Sequence, residues 1–210
     1  MASTLKDQNR LGLWAVTAGN LLLFAVLSRP AGVLSGDLGD LARDWGPILP
    51  AGLGLIVVGV LNHQIDAIAK ARLVFWRIHD PLPGSAAFTR WGPSDARVDM
   101  DTLQRKFGPL PTDAKAQNAL WYKLYKSVES EAAVEQAHRE YLFTRDYCFL
   151  ATLMLIGLGA LAIITFASVG NVMLYLLILT AQFLMTGQAA RVHGRRLIST
   201  VLATASAKGA

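Results

Sequence analysis

Charged residues vanish from the chain after Asp146 and return only at Arg191, leaving 44 consecutive positions, Tyr147–Ala190, without Asp, Glu, Lys or Arg. As one helix that run would be roughly 66 Å long at ~1.5 Å per residue, against about 30 Å for a bilayer hydrocarbon core. It predicts two spans, Tyr147–Ser168 and Asn171–Ala190, with Val169-Gly170-Asn171 as the turn between them. Two further uncharged runs, Leu11–Ser28 and Trp45–Ile65, predict another pair. A basic start before an apolar run also fits a signal peptide. Against cleavage, the first run is longer than a typical h-region, contains Asn20, and is followed by Ser28-Arg29-Pro30 rather than a small-x-small site.

The helical pattern continues past two of the spans. Ala67–His79 has no Gly or Pro until Pro81, and Glu131–Asp146 runs unbroken into the third span behind Ser130, a favourable N-cap. Both predict stalks that leave the membrane. Between them, Pro81, Pro83, Gly84, Gly92 and Pro93 break regular structure. Asp99–Phe107 then reads as a short helix stopped by Gly108-Pro109. A second helix from Asp113 to about Val128, with Thr112 able to cap it, carries an apolar stripe of Leu120, Trp121, Leu124 and Val128.

The expected architecture is an all-α integral membrane protein. It divides into an N-terminus (1–10), spans one and two (11–65), cytoplasmic stalks with a small helical domain (66–146), spans three and four (147–190), and a basic tail (191–210). Composition agrees: 53% of residues are apolar and 17% charged, against about 25% charged in a soluble domain. The basic residues set the orientation. Lys6 and Arg10, then Lys70, Arg72 and Arg77, Arg139 and Arg145, and finally Arg191, Arg195 and Arg196 flank the spans on one side. By the positive-inside rule that side is the cytoplasm, with both termini there, and a bacterial inner membrane is the expected location. A lone cysteine, Cys148, permits no disulfide framework within the chain and reads as core packing.

No Asp, Glu, Lys or Arg lies within a span core, which argues against a proton- or ion-coupled transporter. On the fourth span, Thr180, Gln182, Thr186 and Gln188 are either helix-packing polar groups or an uncharged pore or oligomer face. The histidines show no ligand pair at helical spacing, and neither a metal nor a cofactor is expected. No nucleophile elbow, P-loop or dinucleotide fingerprint occurs, so no enzyme is expected; lipid-headgroup chemistry near His79 and Asp80 ranks last. Arg90-Trp91 and Arg97, with Trp121 and Lys123 on the later helix, join charge to stacking surface and suggest a site for an anionic nucleotide or oligonucleotide. The plainer reading is a small cap whose aromatics form its core. The 66–146 segment holds twelve basic against eleven acidic residues, which is no basic patch.

DPLPGS, RWGPSDARVDMD and GPLPTD mark the middle segment as distinctive. Four short spans, cytoplasmic stalks and a compact inward-facing domain resemble the small membrane effectors of bacterial antiphage defence systems. The resemblance is architectural and carries no functional residue across. It implies a homo-oligomer that disrupts or conducts across the membrane after a cytoplasmic nucleotide, oligonucleotide or protein signal. The alternative is a membrane scaffold or complex subunit whose middle segment docks a partner protein.

Overall fold

The computed structural model describes residues 5–29, 52 and 64–208, and among these all regular structure is helical. The helices are α1 (Leu5–Leu27), α2 (Ala67–Phe75), α3 (Met100–Phe107), α4 (Ala114–Val128), α5 (Ala132–Thr165) and α6 (Val169–Ala207). A 3-10 turn, Pro83–Ala86, and a π-helical turn, Ala87–Trp91, lie between α2 and α3. Two helices, α5 and α6, are long and apolar enough to cross a membrane, and α1 adds a shorter apolar stretch, Leu11–Leu27. The expected second span, Trp45–Ile65, falls outside the described residues apart from Gly52, Gln64 and Ile65.

The chain divides into two compact units: an apolar one, Met1–Asp66 with Asp146–Thr186, and a polar one, Ala67–Arg145 with Gly187–Ala210. The core of the apolar unit gathers Leu150, Met154, Leu158 and Leu179 around an aromatic trio of Phe24, Phe166 and Tyr175. In the trio, Phe24 lies 4.9 Å from Phe166 and 5.7 Å from Tyr175. The Asn171 amide donates to the Leu27 carbonyl at 2.9 Å, satisfying one of the carbonyls that the end of α1 leaves open. The α5–α6 turn is Phe166–Ser168, not Val169–Asn171 as expected. Ser168 accepts from Val172 N–H at 3.1 Å and, through its hydroxyl, from Asn171 N–H at 3.4 Å, so Val169-Gly170-Asn171 already forms the first turn of α6.

In the polar unit the middle helices fall where local signals put them. Asp99 caps α3 by accepting from Thr102 N–H, and Gly108, at φ 77, ends it. Asp113, one residue past the expected Thr112, caps α4 by accepting from Ala116 N–H at 2.9 Å.

Two further expectations are corrected. The expected Ala67–His79 stalk does not continue a preceding helix unbroken, because the backbone leaves helical geometry at Ile65 and Asp66 before α2 starts. Aspartate is among the residues that most favour the position preceding a helix. That helix ends at Phe75 rather than His79, since Trp76 turns to φ 53. Nor is 191–210 a tail: it is helical through Ala207, and Leu197, Ile198, Val201, Leu202 and Ala205 are buried in the polar core with Phe88, Leu103, Leu124 and Val134. Burying each larger aliphatic side chain contributes about 1.5–3 kcal/mol, which makes this helical segment central to the polar unit.

Candidate functional site

Helix α2, the turns after it and the 191–195 stretch of α6 meet around a cleft of about 180 Å³ in the polar unit. Phe75, Pro81, Leu82, Pro83 and Trp91 form its apolar wall, and Arg77, Arg90, Arg191 and Arg195 line it with charge. Pro81 and Pro83 suit this wall because neither brings an N–H donor to satisfy, and Leu82 between them is extended before the 3-10 turn begins at Pro83.

Three of the four arginines are placed by nameable contacts, and the fourth, Arg77, sits on a strained turn. Arg191 Nε donates to the Val74 carbonyl at 2.6 Å, in the last turn of α2, where a cation also meets the negative end of the helix dipole. Its guanidinium lies over the Trp76 ring at 4.1 Å. Trp76 and Asp80 are non-glycine residues at φ 53 and 45, so the rim carrying Arg77 is a strained turn. Arg72 steadies it by donating to the Ile78 carbonyl at 3.2 Å. Arg195, four residues beyond Arg191, shares its helix face, and its Nε donates to the Arg191 carbonyl at 3.3 Å. The Trp91 indole holds two guanidiniums, Arg90 at 4.4 Å and Arg195 at 5.5 Å. Among the described residues none of the four lining arginines makes an ion pair with a carboxylate, and no acidic residue lines the cleft. Their terminal N–H groups remain free to bind an anion, and guanidinium forks suit bidentate oxyanions such as phosphate.

Gln117 fastens the π-helical turn that carries Arg90 and Trp91 to α4. Its buried side-chain oxygen accepts from Phe88 N–H at 3.0 Å and from Thr89 N–H and hydroxyl at 3.2 Å each, while its amide donates to the Thr112 carbonyl at 2.8 Å.

Of the expected ligand residues, the structure brings Arg90 and Trp91 to the cleft and leaves the others elsewhere. Arg97 binds Asp95 through Nε at 3.0 Å and Nη2 at 2.8 Å, and this bond holds the Asp95 carboxyl down to about 2. Trp121 stacks on Tyr125 with ring centroids 5.8 Å apart, and Lys123 is exposed on α4. Arg77, Arg191 and Arg195 carried only an orientation signal in the sequence. The four-residue spacing of Arg191 and Arg195 within a helix was the cue that could have joined them.

On α6, the Gln182 amide donates to the Tyr147 hydroxyl at 2.7 Å, and Thr186 returns its hydroxyl to the Gln182 and Phe183 carbonyls of its own helix. Thr180 and Gln188 are exposed. Gln182 thus joins α6 to α5 within the apolar unit.

His138 accepts or donates at 2.9 Å opposite the Tyr125 hydroxyl. Burial, with Arg145 adding to it, holds this imidazole below its ordinary value of 6.5. Between the two values the unfolded chain binds more protons than the folded one, so stability is full above the unfolded pKa and is lost as pH falls through it. Thermal melts between pH 8 and 5.5 are expected to show the wild type losing stability relative to His138→Gln, a variant that keeps a polar partner for Tyr125. Parallel pH profiles would assign the acid sensitivity elsewhere.

No protein-family model, curated protein or solved structure matches the chain.

Proposed function

We propose that the chain is an integral membrane protein of a bacterial inner membrane. Four transmembrane helices and both termini in the cytoplasm complete this reading. In it, the protein works as an oligomeric effector or channel-like assembly controlled by its polar unit, in the manner of antiphage membrane effectors. The observation that carries the membrane reading is the surface of α6. Only 11% of its apolar stretch is buried, and Met173, Leu177, Leu184 and Met185 are exposed along it. A core helix of a soluble protein buries such residues, whereas hydrocarbon solvates them without cost. Both α5 and α6 contribute residues to the apolar and the polar unit, which suits transmission of a ligand signal from one to the other.

Solubilised protein is expected to run as a defined tetramer or larger ring, and reconstituted liposomes are expected to pass ions when the polar unit is engaged. A tight bilayer under every ligand condition would sink the pore claim. The bonding of Gln182 and Thr186 within the apolar unit favours a second reading, a membrane scaffold with a protein partner, because it leaves those groups less available to line a pore. A stable monomer that binds one protein tightly would move the assignment there.

A further inference from the structure

Four arginines converge on one small cleft that no carboxylate of the described residues neutralises. Arg191 directly follows Ala190, the last residue of the uncharged run, and Arg195 lies one turn further along the same helix. At ~1.5 Å per residue the two Cα atoms stand roughly 1.5 and 7.5 Å past the apolar stretch. Polar headgroups add about 5–7 Å on each side of the hydrocarbon core, so this is headgroup depth. The geometry points to a binding site for the phosphate group of an anionic phospholipid.

Three features select that ligand over a nucleotide. The Trp91 ring already carries Arg90 and Arg195, so the indole holds guanidiniums in place rather than stacking on a base. A cleft of about 180 Å³ is smaller than the ~300–1,000 Å³ that a drug-sized organic ligand fills, yet it admits a phosphate group whose acyl chains stay outside. Phe75 and Leu82 supply an apolar wall beside the charge, as an amphipathic ligand requires. Basic pockets at the cytoplasmic ends of membrane helices take anionic headgroups on the same physical grounds. The inference rests on the membrane placement of α6 but not on conduction or oligomer number.

Full-length protein purified in mild detergent would be titrated with short-chain phosphatidic acid, short-chain phosphatidylcholine and inorganic phosphate, counting bound molecules by native mass spectrometry. Phosphatidic acid is expected to bind more tightly than either comparator. Arg90→Gln and Arg195→Gln are each expected to weaken it about tenfold, since a charge-assisted hydrogen bond is worth roughly one decade or more. Arg97→Gln, which removes an arginine already paired with Asp95, serves as the comparator and is expected to bind as the wild type does. Melting temperatures of the variants separate loss of the site from loss of the fold. Equal retention of phosphatidic acid and phosphatidylcholine, equal affinity for inorganic phosphate, or unchanged binding in both variants would overturn the inference. Protein that stays monodisperse in buffer without detergent would instead overturn the membrane reading itself.

Discussion

Gln117→Leu is expected to destabilise the polar unit by about 3 kcal/mol, because it strands several polar groups at once. Leucine fills most of the same volume, so the loss isolates hydrogen bonding from packing. The Phe88 N–H is buried and loses its acceptor; the Thr89 N–H and hydroxyl lose theirs, and the Thr112 carbonyl loses a donor. Each buried group left unpaired costs about 1–3 kcal/mol, whereas a removed pair costs far less. For a domain of this size the loss corresponds to a drop of roughly 12–24 °C in the melting transition. Lys115→Ala, on the exposed side of the same helix, is expected to stay within about 0.5 kcal/mol of wild type. Hydrogen exchange at Phe88 and Thr89 should rise first in the leucine variant. A melt shifted no further than that of Lys115→Ala would mean the 83–91 turns are held mainly by Phe88 and its apolar neighbours.

The short helices of the polar unit were legible because their boundaries are local. Asp99, Gly108 and Asp113 act on backbone groups within three residues of themselves, and such signals survive without knowledge of the fold. The role of the C-terminal segment was not legible. Small residues and serines at 199–206 look like a tail in isolation, yet Ser199, Thr200 and Ser206 are buried there, and the Ser206 hydroxyl accepts from the distant Asp99 N–H at 3.4 Å. Only packing against residues about a hundred positions earlier turns that stretch into core. Apolar length announced α5 and α6 as candidates to span a membrane, while the position of the turn between them was set by Ser168, whose capping chemistry the neighbouring glycine obscured.

The cleft was half legible for the same reason. Arg90-Trp91 stood out as adjacent charge and stacking surface, and both line it. Arg191 and Arg195 read in the sequence as basic flanks of an apolar run, a pattern that hides a second role. A basic flank and an anion site are compatible, since in the proposed membrane placement the same residues lie at headgroup depth on the cytoplasmic side.

Gly194→Val is expected to cost about 3 kcal/mol and to remove the cleft with it. Gly194 lies on α6 between the two arginines, where a Cβ would meet Phe75 Cζ at 2.9 Å and Tyr141 Cε2 at 3.2 Å. Contacts near 3 Å leave a side chain no room, and both rings are packed: Tyr141 is buried, and Phe75 is wedged against the polar core. Removing a helical glycine gains at most about 1 kcal/mol, so the clash dominates, and valine adds two methyl groups with a restricted χ1. Relief requires at least the Phe75 ring at the end of α2 to shift away from α6, which carries it out of the wall and disturbs the adjacent Val74–Arg191 bond. Stability and anionic-lipid binding should therefore fall together in this variant, whereas Arg90→Gln should weaken binding about tenfold at an unchanged melting temperature. Gly194→Ala should lie between, its helix-propensity gain offsetting part of the clash. If Gly194→Val melts and binds as the wild type does, α2 packs loosely enough on α6 that the cleft is not held open by this approach, and the arginines gather around the anion only when it binds.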